Sequence, residues 1–193
     1  MMRGTPLMPH PSTQDAHPLA YRLIEILNRP SGPVVEVGTG SGRNTRALVA
    51  AGFDVVEIGE ETAYTQLPGR DFVGALATHA YLHGTLAKLR AGFAELARVL
   101  VPGAPIALTL GSINDARFGL GTPYDDATFA PGDGPEIGVP HAYLDRDGVS
   151  EVLRPFRITS CQEHDVDAIV GRWAHAEDPL VGMRHWFVVA RKR

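Results

Sequence analysis

Apolar positions recur at helical spacing at Leu19, Leu23, Ile26 and Leu27, predicting a helix from about Ala16 to Asn28 that stops before Pro30. The pattern then changes period. "PVVEV" is a β-branched run too short for a helix and reads as a buried strand, although it carries a charge, Glu36, at its centre. "RNTRALVAAG" follows as a helix with Gly52 at its C-terminal end, and "FDVVEI" as a second strand. "DFVGALAT" reads as a further strand. Leu86, Leu89, Phe93, Leu96 and Leu100 form the apolar stripe of a helix that ends at Pro102-Gly103, and "PIALTL" is a central strand. Asp145 caps a short helix, "FRITSCQ" is a strand, and "HWFVVAR" is the last.

Alternating strands and helices predict an α/β fold with a doubly wound, mostly parallel, Rossmann-like sheet. In such sheets ligands bind beyond the carboxyl ends of the strands. Residues 1–14, with Pro6, Pro9 and Pro11, read as a flexible N-terminal tail, and 15–193 as a single domain. From about Gly111 to Leu144 periodicity is lost and Gly, Pro and Asp dominate. That stretch is too long for a passive connection, and its apolar anchors Ile113, Phe118, Tyr124, Phe129, Ile137 and Tyr143 predict a lid over a ligand site.

Composition narrows the function classes. A formal charge of −4 opposes an electrostatic grip on nucleic acid, and no apolar run is long enough to cross a bilayer. The single cysteine, Cys161, cannot form an internal disulfide, and the first residues lack the apolar core of a signal peptide, so a cytoplasmic location is expected.

The stretch "VVEVGTGSGRN" carries the chemistry. A strand-to-helix turn needs unusual backbone angles and no side chain where a ligand touches the main chain, and Gly38, Gly40 and Gly42 meet both needs. A dinucleotide fingerprint would require glycine where Arg43 stands, and no Gly-Lys-Ser/Thr makes a P-loop. The remaining pattern, E-x-G-x-G-x-G, resembles that of class I methyltransferases that use S-adenosylmethionine. "ARVLVPGAPIALTL" is similar to the same family's helix end, Pro-Gly turn and fifth strand, and "HWFVVAR" corresponds to its antiparallel last strand. The small size and "THAYLHGT" resemble a tellurite-resistance-type subgroup and its uncharacterised relatives.

This resemblance implies that S-adenosylmethionine is held by Glu36, Gly38, Thr39, Gly40, Gly42, Asn44 and Thr78, with Glu36 orienting the methionine amine. Two departures stand out. The family's ribose-gripping acid falls at Gly59, leaving Glu60 or Glu57 as substitutes, and only about a dozen residues join the second strand to "DFVGALAT", so the sheet is shortened between the family's second and fourth strands.

Methyl transfer from a sulfonium requires alignment and, for a protonated acceptor, a base. His79 at the end of a central strand is the first candidate and His83 the second, with His141 and His175 in the irregular segments as further candidates. No metal is expected, because the zinc-protease motif needs glutamate where Ala80 stands and no Cys-x-x-Cys exists. Arg117 either clamps an acidic acceptor or pairs with Asp115 or Asp126. Trp186 either contacts the acceptor or staples a loop to the sheet. The expected partner is a small-molecule acceptor, not nucleic acid or membrane, and a homodimer is left open. The alternative function is a domain of the same fold that binds S-adenosylmethionine without turnover, for which the missing ribose acid speaks.

Overall fold

The computed structural model describes residues 15–59, 62, 64–69, 71–134, 136–166 and 182–193. Its short apolar runs become the parallel strands β1 (Val34–Val37), β2 (Val55–Ile58), β3 (Gly74–Ala77) and β4 (Pro105–Ser112). The amphipathic stretches become helices α1 (Pro18–Leu27), α2 (Arg43–Ala50) and α3 (Leu86–Val99). After β4 come β5 (Thr122–Asp125), β6 (Thr128–Ala130) and β7 (His141–Leu144), then α4 (Arg146–Val152), β8 (Phe156–Asp165) and β9 (Arg184–Lys192).

β2 is an edge strand, followed by β1, β3 and β4, all parallel. β9 runs antiparallel to β4 and β8 antiparallel to β9, giving the expected α/β sheet with its antiparallel last strand. β3 pairs directly with β1, in keeping with the shortened connection.

Strand alternation sorts the core into two layers. Val35, Val37, Ala75, Ile106 and Leu108 face α3 and α4 with Phe93 and Leu89. Val34, Leu76, Ala107 and Phe187 pack against Leu19, Leu23 and Leu48 on the α1 and α2 side. Each fully buried Leu or Phe contributes about 1.5–3 kcal/mol of transfer free energy. Asp145 caps α4 by accepting the Gly148 N–H at 2.7 Å, as its position in the sequence suggests.

The stretch from Gly111 to Leu144 departs from expectation. It is not an aperiodic loop but contains β5, β6 and β7, and β6 pairs antiparallel with both β5 and β7. β7 joins the main sheet by pairing parallel with Gly111 and Ser112 of β4. Because β9 occupies the other edge of β4 as far as Gly111, β7 lies on the β3 edge, beyond the point where β3 ends. A ring cluster of Phe118, Phe129 and Tyr143 packs this annex, with centroids 5.4 to 6.4 Å apart. The strands are too short, and their partners too distant in sequence, for periodicity to reveal them. Trp186 staples the annex to the sheet, since its Nε1–H donates to the Leu144 carbonyl at 2.7 Å.

The β4–β7 junction needs glycine for space, because a Cβ on Gly111 would lie 2.4 Å from the Ala142 carbonyl oxygen. Gly111→Ala should therefore part β7 from β4 and destabilise the chain by about 1–3 kcal/mol. Hydrogen exchange in β6 and β7 should accelerate while β1 and β3 keep their protection. Uniform acceleration across the sheet would contradict a local junction.

Candidate active site

The turn between β1 and α2 is built by left-handed backbone. Gly38 has φ 73° and Gly40 φ 50°, and Gly42, with φ 71°, precedes α2 as a cap without a side-chain acceptor. The Gly38 N–H donates to the Ile58 carbonyl at 2.8 Å and ties the turn to β2. A Cβ at Gly38 would meet the Ala80 Cβ at 2.6 Å, so the segment after β3 presses against the turn. Gly40 has no heavy atom within 4 Å of an added Cβ and faces open space, the place a ligand needs.

Glu36 lies beneath this turn, on the α2 face of β1 and fully buried. It is paired in register with Glu57 of β2, and the Thr45 hydroxyl lies between the two carboxylates, 2.7 Å from Glu57 Oε1 and in short contact with Glu36 Oε2. A hydroxyl has one proton to give, so it cannot donate to two ionised carboxylates. Burial raises the Glu36 carboxyl above its ordinary range, opposed by its Thr45 and Asn44 hydrogen bonds. Thr45 can therefore donate to only one of the two carboxylates at a time, and burial favours the neutral form of Glu36. Glu36 Oε1 is buried without a hydrogen-bond partner among the described residues.

Asn44 connects three elements. Its Oδ1 accepts the His17 N–H at 2.8 Å and its Nδ2 donates to Thr78 Oγ1 at 2.9 Å, so both ends of its amide are used within the protein. His17 caps α1, with Nδ1 accepting the Leu19 N–H at 3.1 Å, and burial first, then the Arg43 charge, holds it well below its ordinary pKa.

The candidate histidines fall into two groups. His79, beyond β3, is a non-glycine residue at φ 68°, and its N–H donates to Thr109 Oγ1 at 2.8 Å. Its ring stands edge-on to His17 and His185, with centroids 5.6 and 5.7 Å away. His83, at the end of the 3-10 turn Ala80–Leu82, instead meets His141 of β7, with centroids 4.6 Å apart. Between these two lies Glu136, its Oε1 3.3 Å from His83 Nε2 and its Oε2 3.1 Å from His141 Nε2. Hydrogen bonds to His141 and His83 hold the Glu136 carboxyl far below the usual carboxylate range.

Arg117 pairs with Asp115 at 3.3 Å, the structural role foreseen for it, and reaches Glu136 at 3.5 Å. Glu60 and His175 lie outside the described residues. His17, Thr45 and Glu136 were missed from sequence, since the contacts that bring each to the site, His17 with Asn44, Thr45 with Glu57 and Glu136 with His83, join separate elements. A cleft of about 450 Å³ lies against α3 and α4, with Phe118 and Tyr143 in its wall, and its lining includes neither the glycine turn nor any histidine.

No family model and no curated protein matches the chain. Solved structures do, and the fold they share is that of the S-adenosylmethionine-dependent methyltransferases. The 1,6-didemethyltoxoflavin-N1-methyltransferase of Burkholderia thailandensis, solved with 1,6-didemethyltoxoflavin and S-adenosylhomocysteine bound, has a TM-score of 0.65 at 17% identity, over 91% of this chain and 77% of that one. The CcbJ methyltransferase of Streptomyces caelestis has a TM-score of 0.60 at 13% identity over the whole of both chains. TehB from Haemophilus influenzae has a TM-score of 0.57 at 14% identity, over 92% of this chain and 62% of its own.

A carboxyl whose pKa is raised by folding stabilises the fold at acid pH, and that contribution is lost as pH rises through the raised value. Glu36→Gln keeps a donor for Thr45 at every pH. It should therefore stabilise the chain at neutral pH by about 1 kcal/mol, roughly 2–4 °C in melting temperature, with the gain shrinking toward about pH 4. A variant that melts below the parent at pH 7 would refute a raised Glu36 carboxyl.

Proposed function

We propose that this chain transfers a methyl group from S-adenosylmethionine to a small-molecule acceptor. The observation that carries the reading is the pairing of an open left-handed glycine turn with a fully buried carboxyl directly below it. Such a carboxyl is costly in an apolar layer, and an arriving ammonium offsets that cost. The methionine amine of the cofactor supplies that charge. Gly38, Thr39, Gly40 and Gly42 then admit its backbone-facing parts, with Thr78 on the other flank. The likeness to solved methyltransferases is one of fold, at low identity, and agrees with this reading.

The sulfonium is already activated, so the chain has to align the acceptor and, where needed, take its proton. His79 suits this role best, because it follows a central strand directly and is held in a backbone conformation that non-glycine residues seldom adopt. The second reading, a binding domain without turnover, rests on Gly59, an exposed glycine where a ribose acid is expected, and on the engagement of Glu57 by Thr45. A product assay separates the two.

Calorimetry with S-adenosylhomocysteine tests the cofactor site. Gly40→Val should abolish binding, and Glu36→Gln should weaken it at least about tenfold, the loss of one charge-assisted hydrogen bond. Because the ammonium favours ionised Glu36, affinity in the parent should rise with pH through the raised Glu36 pKa and then level off. Unchanged affinity in both variants would exclude the site.

His79→Asn is the informative substitution for the base, since asparagine tolerates left-handed backbone. Once an acceptor is in hand, the variant should lose on the order of a hundredfold in turnover. Parental turnover from pH 6 to 9 would remove His79 from the reaction.

A further inference from the structure

We propose that His83, Glu136 and His141 form a binding site for a divalent transition-metal ion of the zinc class. One ligand atom from each lies within 4.8 Å of the other two. The three come from separate segments: the turn after β3, the irregular stretch before β7, and β7 itself.

The hydrogen bonding around His141 is what calls for a cation. Its Nδ1 lies 2.8 Å from the Val139 carbonyl, and because a carbonyl only accepts, the Nδ1 carries the proton. In the neutral ring Nε2 is then a lone pair, yet it lies 3.1 Å from a carboxylate oxygen that also has only lone pairs to offer. A proton or a metal ion must sit between them. The arrangement of a ligating imidazole whose other nitrogen donates to backbone is the usual support of a metal-bound histidine.

Distances admit the ion. Zinc bonds of about 2.0–2.1 Å to nitrogen and oxygen at tetrahedral angles separate neighbouring ligand atoms by about 3.3 Å. His83 Nε2 lies 3.3 Å from Oε1 and His141 Nε2 3.1 Å from Oε2 of Glu136, so an ion between the rings would be met by either oxygen or by both. Two imidazoles and one carboxylate match the donor preference of zinc-like ions and leave a fourth position for water or substrate oxygen.

The surroundings are rigid and negatively biased. His83 and His141 form an antiparallel backbone bridge, Gly84 N–H donates to the Pro140 carbonyl at 2.7 Å, and the Tyr64 hydroxyl is 2.9 Å from the Ala80 carbonyl and in contact with that of His83. Arg117 lies 3.5 Å from Glu136, but the buried Asp115 carboxylate faces the same guanidinium, so the three charges sum to one negative. An ion here sits at the carboxyl ends of β3 and β4, where it would polarise an acceptor oxygen and ease its deprotonation. The site stands on its own geometry, independent of the methyl-transfer reading.

Zn2+ and Co2+ titrated into chelator-treated protein, without any cofactor, test the site. Zn2+ should bind stoichiometrically and raise the melting temperature, and Co2+ should give visible absorption bands of low-symmetry nitrogen and oxygen coordination. Glu136→Gln and His83→Gln, both at partly exposed positions, should each weaken Zn2+ at least about tenfold and remove the thermal shift. If the parent melts alike with and without Zn2+, or binds it no better than the two variants do, the cluster holds protons only and the proposal falls. That outcome would leave the cofactor titration untouched, so the two readings fail separately.

Discussion

Thr45 stands between two carboxylates with one proton to share, and the ligand end of the sheet is arranged around that contact. Glu36 occupies a position on the α1 and α2 face of β1 where Val34, two residues earlier, packs against apolar side chains. Holding a carboxyl there requires a hydroxyl delivered from above, and Thr45 in the first turn of α2 delivers it. α2 is thereby set over the end of β1, which forces the chain to reverse within the glycine turn. The same hydroxyl engages Glu57, so the register of β1 with β2 also answers to it.

These relations explain what could be read from the chain alone. A charge inside "PVVEV" contradicts the apolar pattern around it, and alternate glycines next to a helix start contradict ordinary turn economy; both are local conflicts, visible without tertiary knowledge. The strands and helices that flank them follow from period and length. The annex was not legible, because β5 to β7 gain their pairing from each other and from the far end of β4. The histidines show the limit most clearly. His79 and His83 have the spacing of one helical face, but the left-handed backbone of His79 and the short 3-10 turn after it send their rings to different partners. Glu136 belongs to no motif at all, and only folding makes it a neighbour of His83 and His141.

The outcome is a division of charge across the rim of the sheet. On the β1 side burial raises the Glu36 carboxyl above its ordinary range. On the annex side, Glu136 is held ionised by two imidazoles. Between them, His17, His79 and His185 form a ring-packed group in which burial keeps His17 neutral.

The pairing of β7 with β4 also bears on how capture and folding are related. In a hinged flap the cover can open while the sheet stays whole, so ligand release and global unfolding have separate barriers. Here β7 is itself a strand of the sheet, stapled by Trp186 and bridged to His83. Moving β7 therefore breaks the same ladder that holds the domain, and any opening there is a partial melting. Resistance to proteolysis in this region would then report on the integrity of the sheet at the far end of β4.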